Sequence, residues 1–255
     1  MEFLFAFLPT ILIVNFLLPQ KARNYWLLLM SLFFYGWGEP SFLIAMIASI
    51  VFNYLMALRI AELKTGSPLR KFMLAFTVVA NLSLLFVFKY MNFTTSSLHR
   101  FFPVTEQWFE VTKFVLPIGI SFFTFQALSY VVDVYRGLPV QKNPAYIGLY
   151  ISLFPQLIAG PIVRYSSIED QIGERQITLD SFSGGVLRFL RGFNKKILLA
   201  NILAQVADKA FGANQLSAGM AWLGVLCYTL QIYFDFSGYS EMAIGLGQML
   251  GFRFL

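Results

Sequence analysis

Residues Gln231–Gly251 read QIYFDFSGYSEMAIGLGQMLG, apolar or aromatic over most of their length, yet they carry Asp235 and Glu241 with no Lys or Arg until Arg253. Read as a membrane segment, this stretch is costly. An acid at the centre of a span disfavours insertion by roughly 2.5–3.5 kcal/mol, so both carboxylates are expected to face a bundle interior or a wet cavity. A polar seam of this kind is where a membrane protein places its working or supporting groups.

Working outward, the whole composition asks for a bilayer. Of 255 residues, 58% are hydrophobic and only 13% charged, against roughly 45–50% and about 25% in soluble domains. One soluble core of this size has no room for that excess, so the chain is read as a single membrane domain, residues 1–255. The net charge of +6 needs no nucleic-acid partner, because the bases sit in connections between apolar runs, where topology explains them. Cys227 is the sole cysteine, which excludes an intrachain disulfide and a thiolate metal cluster. The opening MEFLFAFLPTILIVNFLLP lacks a basic leader and a small-residue cleavage site, so it reads as a retained first span.

Five apolar runs follow in order: Phe3–Leu18, Tyr25–Trp37, Phe42–Leu58, Phe72–Phe88 and Phe114–Val132, the last interrupted by Pro117 and Gly119. They are near the ~20 residues that cross a bilayer, some a little short, Tyr25–Trp37 most of all. Lys21 and Arg23, then Arg59, Lys64, Arg70 and Lys71, put the first and third connections inside and the N-terminus outside. The connection from Lys89 to Lys113, with His99, then falls outside, and Asp133, Arg136 and Lys142 return inside. Tyr146–Ile162 breaks the pattern. It contains Pro155, Gly160 and Pro161, and six bases follow it between residues 163 and 196. A crossing here would place that basic segment outside; a re-entrant, broken helix resolves the conflict, provided protein or a wet cavity shields its backbone. In 182–197, Val186, Phe189, Leu190, Phe193 and Ile197 share one helical face and Arg188, Arg191 and Lys195 the other. That suits either an interfacial helix on an anionic leaflet or a loop helix packed on the bundle. Ile197–Phe211 is helical in pattern but too polar to face lipid, and Met220–Phe234 leads into the opening stretch.

The search for chemistry removes more than it finds. His99 is the only histidine, so a His-pair metal site is excluded and no metal ligand set is assigned; its polar setting between Leu98 and Arg100 reads as a solvated loop. GLGQMLG (245–251) does not open a helix after a strand, so it is no dinucleotide loop. Ala243, Gly247 and Gly251 instead recur every four residues, a small-residue face for close helix packing that Gly245 widens. Asp235 and Tyr239 are also four apart and can share a face, within a functional cavity or a structural hydrogen-bond network. Asp133 and Arg136, three apart at a span end, read as an ion or interfacial pair.

Three long motifs carry a resemblance: LFPQLIAGPIVRYSSIEDQI (153–172), RFLRGFNKKILLANILAQVADKAF (188–211) and LQIYFDFSGYSEMAIGLGQMLGFRF (230–254). Together with FLFAFLP and LPIGISFFTFQALSYVVDVYRG (116–137), in order along the whole chain, they resemble the membrane-bound O-acyltransferases, most closely the bacterial alginate O-acetyltransferase branch. The resemblance implies an all-α, polytopic transmembrane bundle with re-entrant and interfacial helices around a funnel-like site. It implies acyl transfer, acetyl in this branch, onto an exported polysaccharide at the bacterial inner membrane. It implies no bound cofactor, with the acyl donor (acetyl-CoA or another acyl carrier) as substrate, and partners among the lipid bilayer and other polysaccharide-modifying membrane or periplasmic proteins. The family's general-base histidine and its paired asparagine region lie downstream of the GFRF-type sequence, beyond Leu255. The chain is therefore expected to be the N-terminal portion of such an enzyme and inactive alone. Within it, Gln156, Pro161, Arg164, Asp235, Ser237, Tyr239 and Glu241 are the candidates to line or support the funnel. Arg164 would contact an anionic donor or anchor the chain at the membrane surface. A catalytically dead scaffold and a transporter using the same broken helix are the competing readings; against the transporter, the chain shows no inverted repeat.

Overall fold

The computed structural model describes residues 2–101, 115–157, 160–161, 163–213, 215 and 217–254. The expected connection over 102–114, the start of the fifth run at Phe114, three positions of the broken run (158, 159 and 162) and the side chain of His99 lie outside the described residues. Every regular element among those described is helical, as expected. The chain divides into two compact units, Met1–Phe16 with Ala159–Val163 and Ile168–Leu255, and Leu17–Ile158 with Arg164–Ser167.

The second unit holds five helices: α2 (Gln20–Gly38), α3 (Pro40–Glu62), α4 (Pro68–Phe101), α5 (Ile120–Tyr135) and α6 (Pro144–Ser152). Both α3 and α4 are long and apolar enough to cross a membrane. They meet through a reciprocal amide pair. Asn53 Nδ2 donates to Asn81 Oδ1 at 3.0 Å and Asn81 Nδ2 to Asn53 Oδ1 at 2.9 Å. The same two nitrogens also reach Ser49 O and Thr77 O on their own helices. Between lipid-facing helices, where apolar contact gains little over lipid, such pairs supply adhesion, about 0.6 kcal/mol on average and up to about 1.7.

The limit of one helix is corrected here. Helix α4 does not stop at Phe88 but continues through Arg100 to Phe101. No Pro or Gly interrupts it, Lys89 lays its ammonium over the Tyr90 ring at 5.5 Å, and Thr94 and Thr95 bond back to the preceding turn. Position 99 is therefore helical backbone, not loop. The fifth run is interrupted at Pro117 and Gly119, as expected: α5 begins only after Gly119, whose φ of +77° is the left-handed conformation that favours glycine. Arg70, read as a topology signal, is also buried and donates to the carbonyls of Val134 and Tyr135 at 3.3 and 3.0 Å, adding a side-chain cap to the C-terminal end of α5.

The broken run takes the form of a short helix and a turn. Asn143 caps α6 by accepting from Ala145 N–H at 3.0 Å, and Pro144 follows at its first position. Nine residues rise about 13 Å, too little to cross a hydrocarbon layer of ~30 Å. Residues Ile147–Ser152 are all buried.

The other unit holds α1 (Leu8–Leu17, preceded by a π-helical turn Phe3–Phe7), α7 (Glu169–Gly173), α8 (Leu179–Asn194), α9 (Asn201–Phe211) and α10 (Ala218–Met249). The 32 residues of α10 make one rod of ~48 Å, joining the expected Met220–Phe234 run to the opening stretch. Phe16 of α1 packs edge-on against Phe182 of α8, ring centres 5.6 Å apart. Helix α8 lies antiparallel on α10, backbone against backbone. A Cβ on Gly185 would come 2.7 Å from the Gly245 carbonyl, and one on Gly238 2.8 Å from that of Gly192. Farther along, Gly224 of α10 makes room for the Ala210 methyl of α9, 2.8 Å from where a Cβ would stand. Of the expected small-residue face, Gly245 makes the close contact, joined by Gly238 one face away from Gly247 and Gly251. Gly247 packs beneath the Phe254 ring, and Gly251, with φ +85°, lies beyond the helix end. In 182–197, Gly185, Phe189 and Gly192 are buried against α10, while Leu187 and Leu190 stay exposed.

Two predictions follow from these contacts. Gly185→Ala forces the α8–α10 backbones apart and costs about 1–3 kcal/mol, whereas Gly184→Ala, next to it but facing open space, is neutral or gains up to about 1 kcal/mol of helix propensity; thermal unfolding in detergent, followed by helical circular dichroism, separates them. Asn53→Leu or Asn81→Leu alone strands the other amide and lowers stability by about 1–3 kcal/mol, while the double variant loses less than either single one. A double variant as weak as the sum of the singles contradicts the pairing.

Candidate functional site

The acidic seam is built by two helices. After Asn194 the chain does not continue as a regular helix; a π-helical turn, Lys195–Ala200, leads into α9. On a regular helix neighbouring residues point about 100° apart, but here Lys195 and Lys196 both reach α10. Lys195 Nζ donates to Glu241 Oε1 at 2.7 Å and to Ser237 Oγ at 3.1 Å. Lys196 Nζ donates to Asp235 Oδ1. Expected on the polar face opposite the apolar stripe, Lys195 instead points into the helix pair, because the widened turn and the glycine contact bring its stem onto α10. Two ammonium groups cancel two carboxylates. Side-chain exposure falls from 39% and 50% in the Lys196–Asp235 pair to 32% and 28% in the Lys195–Glu241 pair, so the inner pair gains more from its partner. Glu241 Oε2 is buried and makes no hydrogen bond.

A second polar group lies in the other unit, on α5 and the turn after α6. Gln126 Nε2 donates to Gln156 Oε1 at 2.7 Å, with both residues almost fully buried. Gln126 Oε1, Gln156 Nε2 and Thr124 Oγ1 are buried without a hydrogen-bond partner. Such groups each cost about 1–3 kcal/mol when unmatched; of the three, the amide oxygen accepts, the amide nitrogen donates and the hydroxyl can do either. The turn that carries Gln156 is held from both sides: Phe154 N–H donates to Ser31 Oγ at 3.2 Å and the Phe154 ring meets Phe34. Beyond the gap, Tyr165 N–H donates to Ser129 Oγ and Ser166 N–H to Asp133 Oδ2 at 3.3 and 3.1 Å. Asp133 is therefore spent on the backbone of Ser166 and not on Arg136, which is exposed. The Tyr165 ring meets Tyr130 and Tyr150 edge-on at 4.8 and 5.2 Å.

A third feature fixes the chain after α10. Leu250 and Gly251 bend back onto the last turn, with Phe252 N–H reaching Gly247 O at 2.8 Å, the six-to-one closure that a left-handed glycine permits. Arg175 Nε donates to Leu250 O at 2.9 Å while its guanidinium covers the Phe252 ring at 4.3 Å. The Gln171 amide accepts from Arg253 N–H at 2.6 Å and donates to Arg253 O at 3.3 Å. Residues 250–253 are thus clamped by two side chains from the segment around α7.

Of the sequence-predicted residues, Asp235, Ser237 and Glu241 are brought together by Lys195 and Lys196, and half-buried Tyr239 lies one turn after Asp235. Gln156 is buried at its amide pair. Arg164 holds an exposed side chain, its carbonyl accepting from Ser167, and Pro161 is half-buried. Sequence reasoning missed Lys195 and Lys196 as partners of the acids, Gln126 as the partner of Gln156, and the Gln171–Arg175 clamp. One signal was available: glycines seven apart in both segments, 185 with 192 and 238 with 245, place paired notches two turns apart on facing helices.

These long segments have close counterparts in known proteins. The sequence profile of MBOAT, the membrane-bound O-acyltransferase family, matches residues 65–255. The chain is 47% identical to a protein of Azotobacter vinelandii named "Probable alginate O-acetylase AlgI", over 99% of this chain and 51% of that protein. A protein of the same name from Pseudomonas aeruginosa is 44% identical over 99% and 49%. The "Peptidoglycan O-acetyltransferase" of Helicobacter pylori is 36% identical over 96% and 52%. The chain spans about half the length of the curated relatives it matches. With three quarters of its residues under the family profile, and the acidic seam, the broken run and the Arg253 clamp all inside that match, this all-helical chain belongs to the membrane-bound O-acyltransferase family.

Proposed function

We propose that the chain is part of a membrane O-acetyltransferase that moves an acetyl group onto hydroxyls of an exported polysaccharide, in the manner of alginate O-acetylation. The observation that carries this reading is 44–47% identity to alginate O-acetylases along essentially the whole chain. The reading puts the protein in the bacterial inner membrane with its N-terminus outside, takes acetyl-CoA or another acyl carrier as donor, and gives it polysaccharide-modifying membrane or periplasmic proteins as partners. The positive-inside pattern of Lys21, Arg23, Arg59, Lys64 and Lys71 supports the orientation.

Acyl transfer to a hydroxyl forms the new ester oxygen–carbon bond, breaks the bond from the acyl carbon to the donor and takes the hydroxyl proton to a base. In this reading the chain's own residues supply scaffold and passage. Asp235 and Glu241, each committed to a lysine, support a wall and do not act as the base. Gln126, Gln156 and Thr124 carry buried hydrogen-bonding groups without a partner, suited to a polar acyl or sugar group. The clamp of Gln171 and Arg175 holds residues 250–253 against the segment around α7.

A chimera tests this. Residues 1–255 replace the matched half of the Azotobacter vinelandii relative in cells lacking their own copy, and acetyl content of secreted alginate is measured together with membrane insertion. The chimera restores acetylation and the 255-residue chain alone stays at background. A chimera that inserts and folds but leaves alginate unacetylated contradicts the reading. Acetylation by the chain alone, abolished by His99→Ala, overturns the assignment of the base elsewhere.

A further inference from the structure

One surface feature lies apart from the polar groups above. Within the second unit a cavity of about 240 Å³ opens between α2, α3 and α6. Its walls are Leu28 and Leu32 on one side and Ile47, Ile50 and Val51 on the other, with Gly148 as floor. The floor is low because Gly148 has no side chain; a Cβ there would already touch Leu28 at 3.2 Å. The lining is almost wholly apolar, and Ile47 and Val51 remain exposed.

One end of this groove is different. Tyr54, at the end of the α3 wall, donates its hydroxyl to the Lys142 carbonyl at 2.7 Å. Asn143 Nδ2 donates to the Tyr25 hydroxyl at 3.2 Å. The loop before α6 therefore sits at the mouth. Along α2, Lys21, Tyr25, Leu28 and Leu32 fall at spacings of four, three and four, which is one helical stripe. Lys21 thus tops the same stripe that forms the apolar wall. Lys21 and Lys142 are both exposed, and neither Gln20–Tyr25 nor 137–145 contains an acid.

We propose that this groove holds one anionic phospholipid, an acyl chain lying between α2 and α3 over Gly148 and the phosphate at Lys21 and Lys142, with the tyrosine hydroxyls at headgroup level. An apolar slot that opens under a basic, acid-free mouth matches both ends of such a lipid. Basic pockets between spans attract anionic headgroups in this way, and phenols prefer the same depth. The inference is independent of the acyl-transfer reading.

The test uses the 255-residue chain purified in mild detergent and exposed to equal amounts of phosphatidylglycerol and phosphatidylcholine, with bound lipid counted by native mass spectrometry. Phosphatidylglycerol is retained preferentially, and Lys21→Gln and Lys142→Gln each lower its retention about five-fold. Lys209→Gln, an exposed base in the other unit, leaves it unchanged. Val51→Trp, at a half-exposed wall position that tolerates bulk, fills the slot and removes retention while the circular dichroism melt is preserved. Equal retention of the two lipids, an equal loss in Lys209→Gln, or full retention in a folded Val51→Trp variant each overturns the proposal.

Discussion

The close approach of α8 to α10 is the constraint on which its unit depends. Four glycines let two backbones meet where any side chain would collide with a carbonyl. Two lysine stems then lie directly on the partner helix, within reach of carboxylates that stand one to two turns apart. Glycine costs roughly 0.5–1 kcal/mol relative to alanine inside a helix, so four of them amount to a deliberate weakening of both helices. What offsets it is packing over a long contact and the neutralisation of two acids that a membrane would otherwise reject. The π turn at Lys195–Ala200 belongs to the same arrangement: it presents consecutive lysines to one helix, and such turns recur at functional sites.

Elsewhere the same physics appears with neutral groups. Lipid is as apolar as leucine, so helices of this kind gain specificity from paired polar groups. Asn53 with Asn81 satisfies both amides almost completely. Gln126 with Gln156 does not: one oxygen and one nitrogen of that pair stay unmatched. The incomplete pair sits on the turn of the broken run, while the complete one joins two long apolar helices.

Much of this was legible in the chain. Apolar runs, the orphan acids and the prolines of 146–162 pointed to an all-helical membrane fold with a short broken element, and those features are found. Helix limits were less legible, because a hydropathy boundary is not a conformational one. Lys89 ends an apolar run but does not end α4, since a lysine can carry its charge aside without disturbing the backbone. The seam was half visible: Asp235 and Glu241 stood out, but their partners lie some forty positions earlier, in a segment whose charges resembled a membrane-surface face. Four-residue periodicity drew attention to Gly247 and Gly251, whereas the operative period was seven. Gln126 gave no local sign, because a single buried amide is recognisable only by the partner that topology brings to it.

The claim that α8 and α10 are locked in this register through Lys195 and Glu241 is tested most directly by a double-mutant cycle. Lys195→Met, Glu241→Met and the double variant are compared with the parent by unfolding in detergent. The account predicts a coupling energy of about 1–3 kcal/mol, with the double variant more stable than the sum of the single losses implies. Additive losses, with coupling below about 0.3 kcal/mol, would contradict it.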